Sequence, residues 1–197
     1  MTAPRLALGP ATVLLPIDLQ QAIDDPRWGP RNNPDAEAVV AALLAAWRLM
    51  GRPVWHIRHD SVEPDSPYRP GGPGHPFKRE AMPLPGEPVI AKRTNSAFIG
   101  TDLEARLRAG GHESLVVCGV LTHNSVEATV RMAGNLGFRT VVAADACWAV
   151  DRRDLSGRLW PAADVHALSL ANLHGEYATI ATTAEILAAC DEYGEDW

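Results

Sequence analysis

The sequence is poor in cysteine, in positive charge and in long apolar runs, and each shortage removes a class of protein. It has three cysteines, an odd number, and Cys118, Cys147 and Cys190 all lie in apolar runs. That pattern argues against a disulfide scaffold and predicts reduced core thiols in a cytoplasmic protein. The net charge is −6 and Lys and Arg form no cluster, which argues against a nucleic-acid surface. No apolar run approaches the roughly 20 residues that span a bilayer. The N-terminal MTAPRLALGPATVLL has one basic residue and a brief apolar run, so neither a membrane anchor nor a signal peptide is predicted. No G-x-G-x-x-G follows a strand pattern, and Gly71-Gly72-Pro73-Gly74 lacks the Lys and the helix of a phosphate loop, so no nucleotide cofactor is expected.

What is present is a chain of 197 residues with 46% apolar content, enough for one domain with a substantial core. Short β-rich apolar runs alternate with helical patterns. Thr12 to Asp18, Pro53 to Arg58, Pro88 to Lys92, Ser114 to Val120, Phe138 to Ala144 and a short piece near Tyr177 to Ile180 read as strands. Between them, Val39, Val40, Leu43, Leu44, Trp47 and Met50 give a 3.6-residue stripe in a helix over Pro34 to Met50, with Asn33 a plausible cap. Thr101-Asp102-Leu103-Glu104 and Thr182-Thr183-Ala184-Glu185 fit capping boxes that open two further helices. Val126, Val130, Ala133 and Leu136 mark another, and one more lies around Pro161 to Leu173. Strands alternating with helices imply βαβ units, hence a parallel sheet covered on both faces.

Ligands in such sheets bind beyond the carboxyl ends of the strands. The residues there are Asp18, Arg58 to Asp60, Lys92, Thr122 to Ser125 and Asp145. A carboxylate, an ammonium and a hydroxyl from three strand ends form a site-like set. Each also has a plain reading: Asp18 as a turn residue, Lys92 as a solvated cation, Ser125 as a helix N-terminal residue. The segment from Asp60 to Gly86 is dense in Pro and Gly and exceeds the roughly 12–15 residues of an ordinary loop, which predicts a functional cover or disorder. His56 and His59 are three apart, and strand alternation turns them to opposite faces. No H-x-H or D-x-H occurs there, so no metal is predicted. The turn at Ser125 is not a G-x-S-x-G elbow.

Asp18, Lys92 and Gly119-Val-Leu-Thr-His-Asn-Ser-Val126 together resemble the isochorismatase-like hydrolases, also called the cysteine hydrolase superfamily. The likeness extends over nearly the whole chain through PIDLQ, WGPRNNP, RHDS, KRTNSAFIGTDLE, RMAGNLGF and LANLHGEYA, in that order. The resemblance implies a three-layer α/β/α sandwich around a six-stranded parallel sheet, one domain over residues 1–197, and a homo-oligomer, dimer or tetramer. It implies a catalytic Asp18 and Lys92, with Ser125 where the family usually has Cys. It also implies a cis peptide before Leu121 and an oxyanion hole from the Leu121 and Ser125 N–H groups. Trp28, Phe98 and His123 are the implied substrate contacts, no metal or other cofactor is carried over, and the partner is a small-molecule substrate. The expected reaction is hydrolysis of an amide, carbamoyl or ester-like bond. A vinyl-ether hydrolysis without covalent intermediate, or a non-catalytic relative that keeps the pocket, are the alternatives.

Overall fold

The computed structural model describes residue 6 and residues 8–192, and much of the N-terminal stretch read above lies outside them. The central sheet begins with β1 (Val13–Ile17), whose five residues are all buried because helices cover both faces. Next in chain order come α1 (Ala36–Leu49), β2 (His56–His59), β3 (Val89–Lys92), α2 (Leu103–Ala109), β4 (Ser114–Val120) and α3 (Glu127–Asn135). The rest is β5 (Arg139–Trp148), a small hairpin of β6 (Arg152–Arg153) and β7 (Leu159–Trp160), α4 (Ala162–Leu173), β8 (Thr179–Ala181) and α5 (Thr183–Glu192).

Six strands pair in the order β3-β2-β1-β4-β5-β8, all parallel. Helices α1 and α5 pack together, as do α3 and α4, giving the three-layer α/β/α sandwich. The order reverses between β1 and β4, which sends the chain outward in opposite directions and opens a crevice at their carboxyl ends. Gly119 allows these two strands to approach: it has φ +114°, and a Cβ there would stand 2.2 Å from Ile17 O. No helix among the described residues is long and apolar enough to cross a membrane.

Several local expectations shift. β5 runs four residues past Ala144, to Trp148. Val117 pairs with Val142 but Gly119 pairs with Cys147, so β5 bulges between them. Asn33 does not cap α1. It has φ +46°, and its amide donates to Ala144 O (3.2 Å) and Cys147 O (2.6 Å), pinning that bulge. The first capping box also fails to close. Thr101 Oγ1 accepts from Leu103 N at 3.4 Å and donates to Ala97 O at 2.6 Å, while Glu104 pairs with Arg108. The second box forms fully. Glu185 Oε2 accepts from Thr182 N at 2.8 Å, and Thr182 Oγ1 accepts from Glu185 N at 3.3 Å.

The long segment from Asp60 to Gly86 has one short turn of helix, Arg79–Ala81, and is otherwise irregular. It is nevertheless stitched to the chain after β1. Gln20 Nε2 donates to His59 O (3.1 Å) and His75 O (2.8 Å), and Gln20 Oε1 accepts from His59 N (2.7 Å). Gln21 N, Ala22 N and Lys78 N make further bonds to Pro76 O, Gly74 O and Leu19 O. Arg58 and His75 hold Asp60 between them.

Candidate active site

β1 ends at Ile17 and the backbone turns at once: Asp18 has φ +54°, a left-handed conformation that Asp tolerates better than most residues. Lys92 is the last residue of the edge strand β3 and sends its side chain inward, so that it is 1% exposed. Ser125 lies in a wide helical turn, Thr122–Val126, between β4 and α3. Val126 N reaches five residues back to Leu121 O at 3.2 Å. The Val120–Leu121 peptide bond is cis.

These three residues meet at one atom. Lys92 Nζ donates to Asp18 Oδ2 (2.7 Å), Ser125 Oγ (3.2 Å), Thr94 O (3.1 Å) and His59 Nδ1 (3.2 Å). An ammonium has three hydrogens for these four acceptors, so its hold on Ser125 is shared. Asp18 and Ser125 are also buried, and a carboxylate and an ammonium that neutralise each other are the form in which burial is tolerated. Asp18 Oδ1 is buried with no hydrogen-bond partner. That atom is free to hold a proton or to accept from a bound molecule. Burial, then the neighbouring Lys92 charge, keeps the His59 imidazole below its ordinary pKa. The neutral ring that accepts from Lys92 at Nδ1 carries its own hydrogen on Nε2.

The cleft around this set is about 100 Å³, lined by Asp18, Trp28, His59, Tyr68, Leu121 and Ser125 with Ile23, Ser66, Asn95, Val120 and Asn124. Ser66 and Tyr68 come from the long irregular segment. The Tyr68 hydroxyl donates to Asp18 O (3.3 Å), and its ring meets Trp28 edge-on at 6.2 Å and His59 at 5.6 Å. The turn that carries Ser125 is braced from α4, where Thr122 Oγ1 pairs with His166 Nδ1 at 2.8 Å and Ser169 Oγ donates to Thr122 O at 3.2 Å.

Of the residues singled out from sequence, Asp18, Lys92 and Ser125 come together, and Trp28 and Leu121 line the same cleft. Phe98 and His123 do not line it. Phe98 stacks on Phe138 at 5.7 Å. His123 faces a separate cavity of about 450 Å³ with Glu127, Arg152 and Trp160, where burial and then the Arg152 charge push its pKa to about 4. That cavity, and another of about 530 Å³ beside Asp24 and Arg69, are larger than the cleft but contain none of Asp18, Lys92 and Ser125. Asp145 turns away to cap α5, accepting from Thr183 N at 2.8 Å. His59 falls within the strand-end stretch Arg58 to Asp60 named from sequence, while Tyr68 escaped that reading. His59 was weighed individually only as a metal ligand; Tyr68 lies in an aperiodic segment and gave no signal. Cys118 and Cys147 are buried in β4 and β5, and burial raises both thiols, Cys147 to about 12, so neither is a nucleophile.

A doubly wound parallel sheet with a buried carboxylate, ammonium and hydroxyl at its switch point defines the class: a three-layer α/β protein with its candidate site at the carboxyl ends of the strands. The isochorismatase domain model matches residues 12–185, and the chain belongs to the isochorismatase family of hydrolases. It is 41% identical over 174 residues to the isochorismatase family protein YrdC of Bacillus subtilis, covering 88% of this chain and 93% of that protein. It is similar to the crystal structure of an isochorismatase-family protein from Chromobacterium violaceum, with 61% identity and a TM-score of 0.93 over 98% of this chain and 100% of that one. Maleamate amidohydrolase of Pseudomonas putida is 28% identical over 202 residues, spanning 93% of this chain and 88% of the enzyme.

Proposed function

We propose that this protein hydrolyses a small molecule at a C–N amide or carbamoyl bond, or an ester-like bond, with Ser125 as nucleophile. The observation that carries the reading is the Lys92 ammonium, which touches both Ser125 Oγ and Asp18 Oδ2 inside a buried cleft. A hydroxyl is far less acidic than a thiol, whose ordinary pKa is near 8.5, so Ser125 must lose its proton as it attacks. Lys92 lies between it and the carboxylate. Ser125 Oγ–H passes its proton to Nζ while Nζ passes one to Asp18, and the new Oγ–C bond forms on the substrate carbonyl. The oxyanion is received by the Leu121 and Ser125 N–H groups. Collapse breaks the C–N bond, and the departing nitrogen takes the proton held by Asp18. Water then hydrolyses the acyl-serine by the same path in reverse. The similarity to maleamate amidohydrolase supports the C–N bond as the target. The family resemblance supports a homo-oligomeric protein, a dimer or tetramer, which light scattering measures.

The test is turnover of a panel of amides, carbamoyl compounds, esters and isochorismate by wild type, Asp18→Ala and Ser125→Ala. Loss in both variants, with an acyl adduct on Ser125 by mass spectrometry, is the expected result. Full activity in Ser125→Ala overturns the serine mechanism and leaves direct acid–base hydrolysis by Asp18.

A further inference from the structure

The charges around the cleft carry a statement about the substrate that the family assignment does not. Lys92 is not among the residues that line the cleft, and its Nζ is committed to Asp18 at 2.7 Å. No arginine lines the cleft. The neighbouring cavity, which shares Ser66 with the cleft, is lined by Asp24, Asp25 and Asp65 against Arg27 and Arg69. Both arginines there are occupied: Arg27 pairs with Asp25 and donates to Asp65 O, and Arg69 donates to Pro64 O. A carboxylate entering by this route loses hydration and faces three aspartates, Asp24, Asp25 and Asp65, against two arginines.

The site offers neutral partners instead. Lys92 fills His59 Nδ1, so Nε2 carries hydrogen, and Nε2 is neither bonded nor among the buried unpartnered atoms of the described residues. It is therefore open, on a residue that lines the cleft, as a neutral donor. Opposite in character is Asp18 Oδ1, a buried acceptor with no partner. An N–H of a bound amide satisfies it, whereas an ester oxygen cannot. Trp28 and Tyr68 supply an aromatic wall, and about 100 Å³ is small beside the roughly 300–1,000 Å³ of drug-sized sites.

We infer that the cleft selects small uncharged carboxamides that carry a second neutral hydrogen-bond acceptor, and discriminates against carboxylate-bearing amides of the same size. His59 Nε2–H is the group that reads the second acceptor. This rests on the amide-hydrolase reading above, and it separates this chain from enzymes of anionic substrates such as maleamate or isochorismate.

Matched pairs test it: butanediamide against its half-acid, and benzene-1,3-dicarboxamide against its half-acid. Binding to Ser125→Ala is measured by calorimetry, so the result does not depend on turnover. The expected result is at least tenfold tighter binding of the neutral member of at least one pair. Adding His59→Phe is expected to remove most of that preference, and His59→Gln, whose amide can both accept from Lys92 and donate into the cleft, restores part of it. In otherwise wild-type protein the same His59 variants raise KM more than they lower kcat. Equal binding of both members, tighter binding of the half-acid, or no binding of any of the four compounds overturns the inference. Acyl adducts on Ser125 score the mechanism separately, so turnover of half-acids would sink the selectivity and leave the amide-hydrolase reading standing.

Discussion

At the scale of the residue, the site is a charge-balanced pair with a hydroxyl beside it. A thiol in place of that hydroxyl would sit 3.2 Å or so from an ammonium and at the start of a helix, both of which stabilise a thiolate. Ser125→Cys is therefore expected to be alkylated by iodoacetamide with an apparent pKa well below 8.5. Cys118 and Cys147, raised by burial, stay unlabelled in the same mass spectrum. Removing the cation has the opposite effect. Lys92→Met leaves the Asp18 carboxylate buried without a partner and is expected to cost about 3–5 kcal/mol in denaturant unfolding. Asp18→Asn combined with Lys92→Met recovers much of that loss, because the two groups are coupled. Additive losses would show that the pair is not one electrostatic unit.

Among the elements, Glu87 is a junction. Its carboxylate accepts from Arg48 of α1 (2.7 and 2.8 Å), from His56 of β2 (2.8 Å) and from Leu84 N (2.8 Å). Burial alone would raise its pKa, but these bonds outweigh burial and bring it from 4.5 to about 2. A depressed carboxylate stabilises the fold above its unfolded pKa, and that contribution fades as pH falls from about 4.5 to about 2. His56, kept neutral chiefly by burial, acts in the same direction, since the unfolded chain protonates it first below about 6.5. Glu87→Gln is expected to lower Tm at neutral pH and to flatten its decline between pH 4.5 and 2; an unchanged acid slope would remove Glu87 from the account. The elements also show what a sequence can and cannot reveal. Capping at Thr182 was readable because box and helix are local to each other. Asn33 was misread because its partners, Ala144 and Cys147, lie more than a hundred residues away on a bulge that no periodicity announces.

For the whole molecule, parallel topology followed from the alternation of apolar runs and amphipathic stripes, and the site followed from which residues end strands. Asp18 and Lys92 were legible that way, since a charged residue closing an apolar strand must either face water or find a partner. The irregular segment was not legible. Its order comes from Gln20 and from backbone groups of residues 19–22, which pair across the fold rather than along the chain. It is expected to resist trypsin at Lys78 and Arg79 despite its Pro and Gly content. Gln20→Ala, which removes three bonds to His59 and His75, should expose those sites and raise KM by loosening Tyr68 against Asp18. Equal proteolysis of wild type and variant would show that the backbone bonds alone hold the segment.

The Asp18–Lys92 pair is neutral by itself, whatever stands at position 125. A neutral hydroxyl or thiol at position 125 therefore leaves the charge balance of the interior unchanged, whereas a thiolate there would draw on the same Lys92 ammonium. The frame is separable from the atom at position 125, and a lineage could exchange oxygen for sulfur there without rebuilding the fold.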